Sequence, residues 1–292
     1  MNNYIKPWLL TVIAVLVCQG CAFISVDLAN LMQFQPFEER VIETGTKDKV
    51  LVVEILGVIR TTAGRETFTP KQGTLERLDS VLEKAEKDKN IKGIILKIDS
   101  PGGGYTASDL VFRKITAFKE NQGIPVVACI TDQGTSGAYM VALAADHIIA
   151  LPSAVVGNVG VILPSISLEG LMDKLGIDNQ TITSGKFKDT GNPLRDMTDE
   201  DKEILSDIVT EFYDNFIERV TQTRPVSEED LAVIGDGRVV TSTMGKKYHL
   251  IDEVGYYEEA LSKMESLAEI DNPTVIMYRR QGENIGGFYS WP

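Results

Sequence analysis

The sequence is poor in the residues that most often do chemistry at neutral pH. Its 292 residues include two histidines, His147 and His249, and three cysteines, Cys18, Cys21 and Cys129. Three thiols so placed make neither a disulfide framework nor a zinc-ligand set. Cys129, inside the apolar run PVVACIT, reads as a small buried hydrophobe. Cations are in deficit too, with 29 Lys and Arg against 42 Asp and Glu and a net charge of -13. That balance leaves no broad basic face to neutralise phosphates, so nucleic acid is not an expected partner. A hydrophobic fraction of 43% supplies a substantial core and excludes a disordered chain. Internal repeats and low-complexity segments are absent.

Charge is missing altogether from Trp8 to Val26, a run of 19 residues preceded by the single cation Lys6. Such a length can cross the roughly 30 Å apolar layer of a bilayer, so residues 1–26 are expected to form a membrane-targeting helix. Three fates compete for it: an uncleaved anchor, a cleaved secretory signal, or a lipoprotein signal cut before Cys21. Gly20 suits the last, whereas Cys18 stands where such sites usually carry leucine. Each fate puts the remaining chain outside the cytoplasm. Residues 27–47 are polar and Glu-rich and read as a membrane-proximal linker. The globular domain is expected over 48–280, followed by a loose tail over 281–292.

From KVLVVEILGVI onward, strand-like apolar runs alternate with helical patterns. That alternation predicts an α/β fold with a mainly parallel sheet. Leu75, Leu78, Val81, Leu82 and Ala85 share one helical face. Thr106 and Asp109 have the spacing of a capping box after the strand IKGIILKIDS. In a later helix, Ile204, Leu205, Ile208, Val209, Phe212, Phe216 and Val220 form a stripe expected to pack on the core.

Two strand-to-helix turns are rich in glycine: DSPGGG and DQGTSGAYM. Ligands of α/β sheets collect beyond the carboxyl ends of the strands, where such turns lie. Ser136 stands on the second turn, where a hydroxyl is either a nucleophile or simply a helix cap. Gly137 follows at a helix N-terminus, where an unobstructed amide can hold an oxyanion, and Gly103 on the first turn is the candidate second donor. The alternative for 102–104 is an ordinary flexible turn. A serine nucleophile needs a base. His147 reads as entering a buried strand and His249 as ending a helix, so neither is poised. That leaves a lysine, which must shed its proton to serve although its free pKa is about 10.4. Position along the chain does not say which lysine.

These motifs resemble the signal peptide peptidases of the SppA type, serine peptidases with a Ser/Lys dyad on the Clp protease/crotonase-like fold. DSPGGG, GTSGAYMVALAAD, VVGNVGVI, SGKFKDTGNPLRDMTDEDKE and GRVVTSTMGKKYHLIDEVG occur in family order, covering most of the chain after about Val50. The resemblance implies Ser136 as nucleophile, Lys188 of GKFK as base, and Gly103 and Gly137 as oxyanion donors. Lys186, two residues away, would share a strand face with Lys188, and only the family pattern separates them. No metal or organic cofactor is implied. Expected partners are apolar peptides, including signal-peptide remnants, the membrane, and further copies of the chain. Family members are ring-like oligomers in which serine and lysine can come from neighbouring subunits. The implied location is the bacterial cytoplasmic membrane, with the catalytic domain on the periplasmic side.

Two positions depart from the pattern. Asn158 replaces the serine that orients the lysine; its amide oxygen can accept from an ammonium but cannot relay a proton. It also suits a turn with left-handed backbone. His249 replaces a glycine in what reads as a helix C-cap. Two other readings compete with the peptidase: a membrane-tethered scaffold with an impaired site, which Asn158 favours, and acyl-CoA chemistry on the shared architecture.

Overall fold

The computed structural model describes residues 35–62, 72–283 and 287–289. The run Trp8–Val26, with Cys18 and Cys21, lies outside the described residues. Among the described residues, no helix is long and apolar enough to cross a membrane.

The centre of the sheet is formed by β2 (Lys49–Leu56), β3 (Ile91–Ser100) and β4 (Val126–Thr135). They run parallel, with Val53 opposite Leu96 and Leu96 opposite Ala128. Strands covered on both faces read as near-continuous apolar runs, which is what VLVVEIL and GIIL are. Around them lie β1 (Glu38–Glu43), β5 (His147–Ala150), β8 (Glu253–Val254) and β9 (Thr274–Arg279), in the order β1-β9-β2-β3-β4-β5-β8. The far end of β4 instead pairs with β6 (Val155–Gly157), which pairs antiparallel with β7 (Val239–Thr241). The β1 and β9 pair is also antiparallel; the other neighbours are parallel.

Glu38–Glu43 falls within the stretch read as a linker, so that reading is corrected here: these residues are an edge strand paired to β9. Its four charged residues mark it as polar, which is how edge strands avoid pairing with other chains. The tail also departs from expectation. Phe288 is buried and stacks on Tyr257 at 4.2 Å between ring centroids, and the Tyr257 N–H donates to the Tyr289 hydroxyl at 2.9 Å.

One sheet face is covered by α1 (Thr74–Glu86), α2 (Tyr105–Gln122) and α3 (Gly137–Ala142). The face predicted for α1 is the buried one, through Leu78, Val81, Leu82 and Ala85. The cap predicted for α2 does not form: Gly104 is the N-cap with no side-chain bond, and Asp109 accepts from Arg219 at 2.7 Å instead. The opposite face is covered by α8 (Tyr257–Ala268), which buries Tyr257, Ala260 and Met264. On that face three charged side chains are buried together. Glu54 accepts from Lys97 at 3.3 Å and from both terminal nitrogens of Arg279.

The remaining helices are α4 (Glu169–Leu175), α5 (Asp199–Thr223), α6 (Glu228–Ile234) and α7 (Ser242–Lys247). Of the stripe expected to pack along α5, only Phe216 and Val220 are buried, whereas Ile204 and Ile208 are exposed. The first turns of α5 therefore do not join the core, and α4 buries none of its residues.

Candidate active site

Ser136 lies between β4 and α3, at the end of the sheet where the parallel strands finish. Its backbone has φ 53° and ψ -126°, a region that L-residues seldom adopt and that costs of order 1–3 kcal/mol. The turn is held by the Ser136 N–H donating to the Gly157 carbonyl at 2.8 Å and the Met140 N–H donating to the Ser136 carbonyl at 3.0 Å. Although Ser136 occupies the N-cap position, its side chain caps nothing. The hydroxyl of a half-buried residue in a strained turn is thus left uncommitted, which the capping role does not explain.

The DSPGGG turn packs directly against this one. A Cβ on Gly102 would lie 2.7 Å from Gly137 N and 3.0 Å from Ser136 Cβ, and a Cβ on Gly137 would lie 3.3 Å from Gly103 N. Gly103 itself presses on residue 59, where an added Cβ would meet the Ile59 carbonyl oxygen at 2.1 Å. The bonds to residue 59 use the Gly102 carbonyl and the Gly104 N–H, so they leave the Gly103 N–H free. Among the described residues, neither the Gly103 nor the Gly137 N–H has a protein acceptor. Close approach requires glycine at 102, 103 and 137, and at Gly102 the backbone, with φ 96°, requires it as well.

Sequence reasoning missed two serines that hold this junction. Ser100 Oγ accepts from the Gly102 N–H at 3.1 Å, and the buried Ser108 Oγ donates to the Gly104 carbonyl at 3.1 Å. The position of Ser108 four residues after Gly104 is the only trace of that bond in the sequence.

Lys188 is exposed and sits in a turn over 186–191, so the expected strand face shared with Lys186 is absent. Lys186 pairs with Glu200 at 2.5 Å. The Lys188 side chain makes no hydrogen bond or ion pair among the described residues, and none joins it to Ser136. Asn158 has φ 53°, as its turn reading predicts, and its Nδ2 donates to the Gly237 carbonyl at 2.5 Å. Its amide oxygen, like the Lys188 amine, has no partner among the described residues. His147 stands 3.8 Å from Asp252 and 3.6 Å from Glu253, and burial holds its pKa below the ordinary value despite both carboxylates. His249, with φ 59°, follows α7 as a left-handed cap residue. Neither histidine bonds to Ser136.

The sequence profile described as Peptidase family S49 matches residues 118–271, just over half of the chain. A Methanocaldococcus jannaschii protein named for protease activity is 40% identical over 209 residues, covering 72% of this chain and 66% of the relative. An Enterococcus faecium protein named for the signal peptide peptidase SppA is 28% identical over 254 residues, covering 87% of this chain and 73% of the relative. The alignment thus spans just under two thirds of the first relative's length. Among solved structures, a variant of the 1510-N membrane-bound stomatin-specific protease in complex with a substrate peptide superposes with a TM-score of 0.52 at 19% identity. That match covers 81% of this chain and 94% of the other, and it concerns the fold alone. The mixed α/β architecture agrees with the Clp protease/crotonase-like fold that the sequence motifs imply.

Proposed function

This chain belongs to peptidase family S49, a serine peptidase family, and we propose that it is a membrane-associated endopeptidase in which Ser136 and Lys188 form the catalytic dyad. The observation that carries this reading is the uncommitted Ser136 hydroxyl on a strained turn, with the Gly103 and Gly137 amides beside it and free of acceptors.

Neutral Lys188 accepts the Ser136 proton while Oγ attacks the scissile carbonyl carbon, and the two amides hold the oxyanion. The resulting ammonium gives its proton to the leaving amine as the C–N bond breaks. Water then attacks the acyl ester, losing a proton to Lys188, and Ser136 leaves with a proton returned from the same amine. Asn158 Oδ1 accepts from the lysine and orients it.

Within one chain Lys188 has no contact with Ser136, so the dyad is built between copies. Support comes from the segment that carries Lys188: Ile162 is 87% exposed, Ile166 73% and Ile182 97%, apolar side chains of the kind that a neighbouring molecule covers. Trp8 to Val26 tethers the assembly to the bacterial cytoplasmic membrane with this domain on the periplasmic side, as an anchor or after lipidation at Cys21. Substrates are apolar peptides such as signal-peptide remnants released into the same bilayer. No cofactor takes part.

The test uses full-length protein in detergent micelles and a panel of apolar fluorogenic peptides. Ser136→Ala and Lys188→Ala are each expected to abolish hydrolysis with assembly intact. Mixing the two inactive variants under exchange conditions is expected to restore part of the activity, since some junctions then hold one intact serine and one intact lysine. Assembled wild type that cleaves nothing in the panel favours the scaffold reading.

A further inference from the structure

Resting on the assignment of Lys188 as general base, we propose that Arg195 is a positioning residue that pins the Lys188 turn to α5 and offsets the charge of the carboxylate next to that lysine in sequence. The Arg195 guanidinium donates through Nε and Nη2 to the two oxygens of Asp189, each at 2.9 Å. Its Nη1 donates to Asp201 Oδ2 at 2.6 Å and to the Asp196 carbonyl at 3.0 Å. Asp201, only 1% exposed, is the third residue of α5 and also accepts from Thr190 Oγ1 at 2.6 Å and from the Thr198 N–H and Oγ1 at 3.0 Å.

Both residues that follow Lys188 are thus tied to the first turn of α5. On the other side, Lys186 pairs with Glu200 at 2.5 Å, and the Lys188 N–H donates to the Gly185 carbonyl at 3.1 Å. The turn is fixed at both ends while the amine between them stays uncommitted. A planar guanidinium holding one carboxylate through two bonds and a second through another sets orientation as well as distance, which a lysine in its place does not do.

The second effect is electrostatic. A carboxylate next in sequence favours the ammonium form of a lysine, whereas a base must be neutral when it takes the proton. Arg195 offsets the Asp189 charge directly. Of the other charges around the turn, Lys186 pairs with Glu200, and Lys202 with Asp199 at 3.0 Å. Asp196 accepts from the Ser167 hydroxyl, and Glu169 accepts from the Asp196 N–H at 2.6 Å. Asp201 keeps its negative charge buried under four bonds. Consistent with this, the bond to Arg195 is the leading cause holding Asp189 and Asp201 below the usual carboxylate range, and their bonds hold Arg195 above its ordinary value.

A purely structural clamp and one that also tunes charge differ in the sign of their pH effects. Full-length wild type, Arg195→Gln, Asp189→Asn and the double variant are compared by the pH dependence of kcat on one peptide, with Lys188→Ala as control. Arg195→Gln is expected to lower kcat and to move the acidic limb upward by about one pH unit, the size set by an uncompensated neighbouring charge. Asp189→Asn is expected to move it the other way, and the double variant to return it close to the wild-type position while kcat stays low. An unmoved limb in both single variants, or shifts of the same sign, overturns the proposal. Should Arg195→Gln not fold, the near-isosteric Asp189→Asn carries the decision alone: a downward shift supports the charge effect, and none removes it. Turnover that survives in Lys188→Ala overturns the base assignment itself, and the clamp's role with it.

Discussion

Ser108 Oγ occupies the space that a side chain at Gly137 would need: a Cβ there would lie 2.1 Å from it, and 2.9 Å from Ser108 Cβ. The hydroxyl is also committed to the Gly104 carbonyl at 3.1 Å, so α2 holds both glycine turns at once. Gly137→Ala is therefore expected to push the turns apart, costing about 1–3 kcal/mol as overpacking does and most of the peptidase activity. Ser108→Gly in the same chain relieves the contact and is expected to recover stability more than activity, since the bond to Gly104 is lost. Urea denaturation and peptide hydrolysis on wild type, Gly137→Ala and the double variant check this; a Gly137→Ala chain with full stability and turnover counts against it.

The buried charges on the opposite face make a different prediction. Glu54 is the carboxylate shared by Lys97 and Arg279, with side-chain exposures of 6%, 6% and 4%. Glu54→Ala leaves two cations close together in a dry setting, where removing one member of a buried pair costs about 3–5 kcal/mol. Thermal or urea unfolding is expected to show that loss. Glu54→Gln, which keeps the shape and part of the bonding, is expected to lose less.

Cys129 lies in the middle of β4 with no exposed surface, and burial pushes its thiol up to about 12. A thiol so placed holds almost no thiolate at neutral pH. Native protein treated with iodoacetamide at pH 8 is expected to show no alkylation of the Cys129 peptide by mass spectrometry, and complete alkylation once unfolded. Rapid labelling of the native chain would mean that this strand opens locally.

Much of this fold is legible in the residues because its strands are covered on both faces and its helices on one. Val50 to Ile55 and the stripe from Leu78 to Ala85 announce their burial by period alone. Glu38–Glu43 does not, since an edge strand with charged residues has the composition of a linker. The α2 cap is misread for a related reason: Thr106 and Asp109 satisfy a local pattern, but the chain enters the helix two residues earlier through the glycine turn, and Asp109 is drawn to Arg219. At the site, Ser136, Gly103 and Gly137 could be singled out because turn chemistry is local. Lys188 could not, because no bond among the described residues joins either Lys188 or Lys186 to Ser136, Lys186 being paired with Glu200 instead. Family order supplied that choice. The clamp of Asp189, Arg195 and Asp201 spans only 13 residues, yet its three charges read as surface residues until the buried Asp201 is seen.

Acid should release that clamp within a defined window. Asp189 and Asp201 are both held below the usual carboxylate range, chiefly by Arg195. Protons therefore bind the released turn more readily than the clamped one, so the stabilisation is complete above the ordinary value of about 3.9 and declines as pH falls through the lower, clamped values. Hydrogen exchange over 185–201, corrected for the intrinsic dependence of exchange on pH, is expected to stay constant from pH 7 to about 4 and to quicken below. Quickening that begins between pH 7 and 5 would exclude these two carboxylates as the cause.

The position of β9 has a consequence for how the polypeptide is made. It lies between β1 and β2, the two earliest strands described, bonding Val41 on one side and Leu51 on the other through Ile276. During synthesis those early strands emerge from the ribosome with their shared neighbour still untranslated. Their unpaired edges must wait for more than two hundred residues, and such late, long-range pairing folds slowly. Until its final strand closes the sheet, a nascent chain of this topology leaves both of those strand edges without their shared partner.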